Sequence, residues 1–200
     1  MMIFSFLNVL ILTLISLMAP ATGQTNIISY DVLMTARQNI QHTQANYTET
    51  RHVSFLDKPV IVGGKLEYEA RGFLKKTITT PDLDILEFDN GQMTHTDKGG
   101  KSQTFSADLD PILHVSTSGL MAFLSGNNGA LESLFHVTFG VEGAGWLLHL
   151  RPKNPNIAAD LLAIRIFGIG AEPNRIEFFE ASGDQNFMAI ATTLVELKND

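Results

Sequence analysis

No cysteine occurs in the sequence. That excludes disulfides, thiolate metal sites and a lipid tether on an N-terminal cysteine, so the chain must hold together by its core alone. Positive charge is scarce: 14 Lys and Arg stand against 21 Asp and Glu, a net charge of −7. This balance argues against nucleic acid or an anionic membrane surface as a partner. The histidines are His42, His52, His95, His114, His136 and His149. None stands four residues from another and no H-E-x-x-H occurs, so their spacing offers no metal site. A G-x-S-x-G elbow and a phosphate-binding glycine loop are missing as well. Gly168-Ile169-Gly170 lacks both a third glycine and a following helix, and reads as a turn. Asp82 with Asp84, and Asp108 with Asp110, are close carboxylate pairs beside prolines. Aspartate at such element ends serves as a turn or cap residue. No catalytic residue, cofactor or metal is expected.

Long apolar runs are also few. The clear one is Ile3 to Met18, interrupted by Ser5, Asn8, Thr13 and Ser16 and followed by Ala19-Pro20-Ala21-Thr22-Gly23. It is shorter than a membrane span, which needs roughly 18 or more apolar residues. Ala19 and Ala21 have the A-x-A spacing of a signal cleavage site. No Lys or Arg precedes the run, a departure from the usual signal. Residues 1–23 are expected to be a cleaved signal peptide, and residues 24–200 one soluble, exported domain.

What is present is a series of short alternating segments. Gly63 to Met93 reads as a three-stranded antiparallel meander. Leu66 and Tyr68 point one way and Lys65, Glu67 and Glu69 the other, the period of strands with one wet face. Asp89-Asn90-Gly91 supplies a hairpin turn, since Asn-Gly tolerates positive φ. Gly63-Gly64 predicts a bulge or bend. Before the meander, Asn26 to Asn46 predicts a helix, with Ile28, Val32, Leu33, Ala36 and Ile40 on one stripe and Arg37, Gln38 and Gln41 opposite. A strand over Tyr47 to Leu56 follows.

Asp110-Pro111 starts a helical insertion. Leu113, Leu120, Met121, Phe123 and Leu124 form its apolar face, Gly119 weakens its middle, and Gly126 to Gly129 stops it. Strands then resume to Leu197, with Trp146, Leu148 and Leu150 on one face. The expected fold is α+β and mainly antiparallel β: an open, curled half-barrel of about eleven strands with an N-terminal helix and a helical lid insertion. A sheet this wide curls. Thirteen Phe and seven Met, against three Tyr and one Trp, supply an adaptable apolar lining. An ordinary packed core is the competing account of the same residues.

The order of elements resembles the LolA family of periplasmic outer-membrane lipoprotein carriers. The resemblance rests on Ala45-Asn46-Tyr47-Thr48-Glu49, Gly64-Lys65-Leu66-Glu67-Tyr68, Phe73-Leu74-Lys75-Lys76, Thr80-Pro81-Asp82 and Asp89-Asn90-Gly91, then on Trp146 to Lys153 and Glu180 to Asp184. No single motif is specific; their order is. The resemblance implies a helical lid over an apolar cavity and no catalysis. It implies that a monomeric periplasmic carrier receives acylated lipoprotein from an inner-membrane exporter and passes it to an outer-membrane receptor. Tyr47, Leu66, Tyr68, Leu74, Leu86, Phe88, Trp146 and Leu148 are then the expected cavity lining, with Leu120, Phe123 and Leu124 on the lid. The resemblance implies an Arg-Pro step whose Arg latches the lid; here Glu69-Ala70-Arg71-Gly72 stands in its place, leaving Arg71 as a candidate latch. The long C-terminal extension of the best-known members is missing. The sequence looks closer to LolA-like proteins that accompany exporters and acyltransferases, for which a glycolipid or polyene-lipid cargo is the alternative. A non-carrying envelope interaction module is the further one.

Overall fold

A computed structural model describes residues 28–198. The expected signal peptide lies outside the described residues. The chain opens with α1 (Tyr30–Gln38), capped by the Ser29 side chain, then runs through β1 (Ile40–His52), β2 (Val60–Glu69), β3 (Phe73–Thr80), β4 (Asp84–Asp89), β5 (Gln92–Thr96) and β6 (Ser102–Ser106). The helical insertion follows as α2 (Pro111–Leu124) and α3 (Asn128–Leu134). The second group of strands is β7 (Phe135–Glu142), β8 (Gly145–Pro152), β9 (Leu161–Ile169), β10 (Glu172–Glu180) and β11 (Gln185–Leu197), with a one-turn α4 (Pro155–Ala158) between β8 and β9.

Local chemistry sets these boundaries. Asn90 and Gly91 both have positive φ, 48° and 84°, the backbone of a primed turn between β4 and β5. The Asp110 carboxylate accepts from the backbone N–H of Ile112 and Leu113 at 3.1 and 3.0 Å and so caps α2, with Pro111 in the first turn. The Asn127 side chain caps α3 through the N–H of Ala130. The β2–β3 register shifts between Gly63 and Gly64, which is the bulge the Gly-Gly pair predicts. A Cβ on Gly64 would stand 1.9 Å from the carbonyl oxygen of Thr77, so only glycine lets the strands approach there.

All eleven strands join one antiparallel sheet in the order β6-β5-β4-β3-β2-β1-β11-β10-β9-β8-β7. The expected curled half-barrel is corrected by this topology. β6 and β7 end the order and are bonded on one side only, so the sheet is open and does not curl into a barrel wall. Helices cover one face of it instead, and the strands have no need to wrap around their own core.

The N-terminal helix is also shorter than the stripe from Ile28 to Ile40 suggests. Ile40 to Asn46 belongs to β1, the strand that bonds to both β2 and β11 at the middle of the sheet. Pairing on both edges overrides a helical pattern read locally. Among the described residues, no helix is long and apolar enough to cross a membrane.

The covered face has two regimes. Over β8 and β9 it is filled solid: Leu33 and Met34 of α1, Phe123 of α2 and Leu131 of α3 pack against Trp146, Leu148, Ile164 and Ile166, every one nearly or wholly buried. Over β1 to β5 the buried clusters are smaller, around Tyr47 and around Phe88. Between these regimes lies a cavity.

Candidate functional site

The cavity of about 440 Å³ lies between α2 and the sheet. This is within the range of small-molecule sites, roughly 300–1,000 Å³. Strand register builds its floor. One row of facing side chains crosses the sheet as Thr43, Tyr68, Leu74, Phe88 and Met93. A second runs Ala45, Leu66, Lys76 and Leu86. All of these line the cavity. Met188 and Ile190 of β11 and Ile176 and Phe178 of β10 continue the floor, while Ile112, Leu113, Leu120 and Leu124 of α2 form the roof.

Of the residues expected as lining, Leu66, Tyr68, Leu74, Leu86 and Phe88 face the cavity, and Leu120 and Leu124 face it from the helix. Tyr47, Trp146, Leu148 and Phe123 do not line it. Tyr47 packs with Val62, Ile78 and Met188. Trp146 meets Phe123 at 5.8 Å between ring centroids and donates from Nε1 to the carbonyl of Gly170 at 2.8 Å. Its indole crosses Gly168, where a Cβ would lie 2.2 Å from the ring. Arg71 lies outside the cavity: Nε bonds to Glu69 at 2.6 Å, Nη1 reaches Asp89 at 3.4 Å, and the guanidinium stacks over Phe73.

Two buried charged groups flank the apolar part of the lining. Beside Lys76 and Asn186, which line the cavity, Glu49 is wholly buried, and Arg51, Lys76 and Asn186 all donate to it. Burial works to raise the Glu49 carboxyl, but these partners outweigh it and hold its pKa below the ordinary range. Burial pulls Lys76 down, against the attraction of Glu49. Burial, then the Glu49 charge, pushes the Tyr47 phenol up to about 12. The second group is Arg37 of α1, which is wholly buried and packs its guanidinium 5.7 Å from the Phe123 ring. Sequence pattern places Arg37 on the wet side of a helix; α2 and the β9–β10 turn cover that side instead. Nothing local in the sequence signals this, because the cover comes from elements far along the chain.

The carboxylate pairs have separate partners. Asp82 pairs with Lys98, Asp84 with His95 and Asp108 with His114, while Asp110 caps α2. Among the described residues, no group of three potential metal ligands converges.

An open antiparallel sheet with a helical insertion roofing an apolar cavity defines the class. The sequence matches the family model "Outer membrane lipoprotein carrier protein LolA-like" over residues 23–196, and the chain belongs to that family. Membership makes it a periplasmic protein. No curated protein sequence matches it. Among solved structures it is similar to a LolA superfamily protein from Nitrosomonas europaea, with 9% identity, 86% of this chain and 96% of that one covered, and a TM-score of 0.46. It is also similar to a DUF1329 family protein from Desulfovibrio piger, with 8% identity, coverages of 81% and 88% and a TM-score of 0.42. The Pseudomonas aeruginosa MucA/MucB complex gives 10% identity, coverages of 82% and 56% and a TM-score of 0.43. The family assignment rests on the sequence match and on none of these structures.

Proposed function

We propose that the protein is a non-enzymatic carrier that shelters acyl chains in the cavity beneath α2. The observation that carries this reading is the lining itself: two cross-strand rows in which Tyr68, Leu74, Phe88, Met93, Ala45, Leu66 and Leu86 are interrupted only by Thr43 and Lys76, beneath Ile112, Leu113, Leu120 and Leu124 of α2. Each methylene moved from water into such a lining contributes about 0.8 kcal/mol. A chain of about 15 methylenes then gains roughly 12 kcal/mol as an upper bound. Such a chain does not cross an aqueous compartment free.

The family name supports lipoprotein as cargo; an inner-membrane exporter as donor and an outer-membrane receptor as acceptor complete the same proposal. A second cargo is a single-chain lipid product, for which a cavity of about 440 Å³ is of small-molecule size. A lipoprotein with several chains would draw on the open side of the cavity and on movement of α2. Cargo and the α2 side chains compete for one surface, so the helix can close when the chain leaves.

Binding of an environment-sensitive hydrophobic dye tests the carrier reading. The wild type should bind it, and Leu66→Glu or Phe88→Glu should weaken binding by about tenfold or more, since each puts a carboxylate into an apolar wall. A dye that ignores both substitutions points to an envelope interaction module working through its outer surface. Mass spectrometry of copurified ligand separates the two cargoes.

A further inference from the structure

An apolar cavity accounts for a chain but not for Arg37. Its guanidinium is wholly buried, and among the described residues only Nη1 has partners: the carbonyl of Ala171 at 3.4 Å and Glu172 at 3.5 Å, both long contacts. Nε and Nη2 are buried with no hydrogen-bond partner among the described residues. Leaving charged donors unmet in a protein interior is costly. These two nitrogens form the side edge of a planar guanidinium, a fork that fits the two oxygens of a carboxylate or phosphate.

The fork has neighbours of the same kind. Tyr68 and Thr43 face each other across β2 and β1, both line the cavity, and the hydroxyl oxygen of each is buried without a partner among the described residues. The charge of Arg37 acts on the Tyr68 phenol, which burial otherwise raises. Both hydroxyls can donate to an anion. The other charged groups lining the cavity are engaged or of the wrong sign. Lys76 is committed to Glu49, Asp110 to the cap of α2 and Glu67 to His42. Burial, then Asp184, raises the Glu180 carboxyl and disfavours its charge.

Resting on the carrier reading above, we propose that the cavity takes an amphiphile with an anionic head, a carboxylate or a phosphate monoester. The head sits on the free edge of Arg37 with Tyr68 and Thr43, and the single chain runs along the leucine rows toward Lys76. The orphaned donors are the head site, and α1 is part of the binding machinery rather than only a cover for the solid core.

Displacement of a bound hydrophobic dye tests this with hexadecanoate, methyl hexadecanoate, hexadecanol, lysophosphatidate and inorganic phosphate. In the wild type, hexadecanoate and lysophosphatidate should compete at about tenfold lower concentration, or better, than the ester and the alcohol. Arg37→Met should remove that preference, and the shape-preserving Tyr68→Phe and Thr43→Val should each reduce it. Equal competition by acid and ester in the wild type overturns the head site while leaving the carrier reading intact. So does a preference that survives Arg37→Met. Inorganic phosphate competing as well as lysophosphatidate overturns the amphiphile in favour of a free anion. If no chain-bearing compound and no dye binds, the carrier reading fails, and the head site with it.

Discussion

Glu49 carries a large share of the order on the floor beside the cavity. Its carboxylate takes hydrogen bonds from Arg51, Lys76 and Asn186 while wholly buried. Removing one partner of a buried charge network leaves the rest uncompensated and costs about 3–5 kcal/mol. Lys76 and Arg51 keep partial solvent access, so Glu49→Ala should lie near the low end, about 3 kcal/mol, in urea denaturation. Because the folded-state pKa is depressed below its ordinary 4.5, the contribution of Glu49 is fully present above that pH. It is lost as pH falls through the lower folded value. Wild type should therefore lose stability in acid below about pH 4.5 more steeply than Glu49→Gln; parallel acid curves would contradict the network. At this scale strand alternation is legible: Leu66, Tyr68, Leu74, Leu86 and Phe88 follow from a period of two. The period names a face and not what covers it. Trp146 and Leu148 share the covered face with them yet lie under packed helices. Arg37 was illegible for the same reason.

Among the elements, α2 decides what the face can do. One flank reaches the solid core through Phe123, and the other roofs the cavity through Leu120 and Leu124. Gly119 is the point of closest approach, since a Cβ there would stand 2.5 Å from the Phe135 ring. As a helix residue, Gly119→Ala should gain up to about 1 kcal/mol in propensity. Overpacking against a wholly buried ring costs about 1–3 kcal/mol. The clash should win, giving a net loss and a lower Tm in thermal unfolding; a raised Tm would show that α2 is free to shift. The glycine that looks like a weak spot in a helical pattern is a packing requirement. The start of α2 was legible because Asp110-Pro111 is a local signal. The end of α1 was not, because Ile40 continues the helical stripe while its backbone completes a central strand paired to Leu197. Boundaries fixed by local capping can be read from a sequence; boundaries fixed by distant partners cannot.

The whole molecule is an asymmetric arrangement on one open sheet. β8 and β9 lie under a filled core that anchors α1, α2 and α3, and β1 to β5 with β10 and β11 lie under a helix flank that leaves a cavity. The strand count and the helical insertion were visible in the sequence; the openness of the sheet was not. Width alone suggests curling, whereas the covering helices supply the second layer that curling would otherwise provide. An apolar cavity of this size beneath a helix flank suits a single acyl tail as its load. Native mass spectrometry of protein purified gently from its own envelope tests that claim most directly. The account predicts one acyl-bearing ligand per protein, absent from Leu66→Glu prepared in the same way. A bare protein mass for the wild type, or an equal adduct on both proteins, would contradict it.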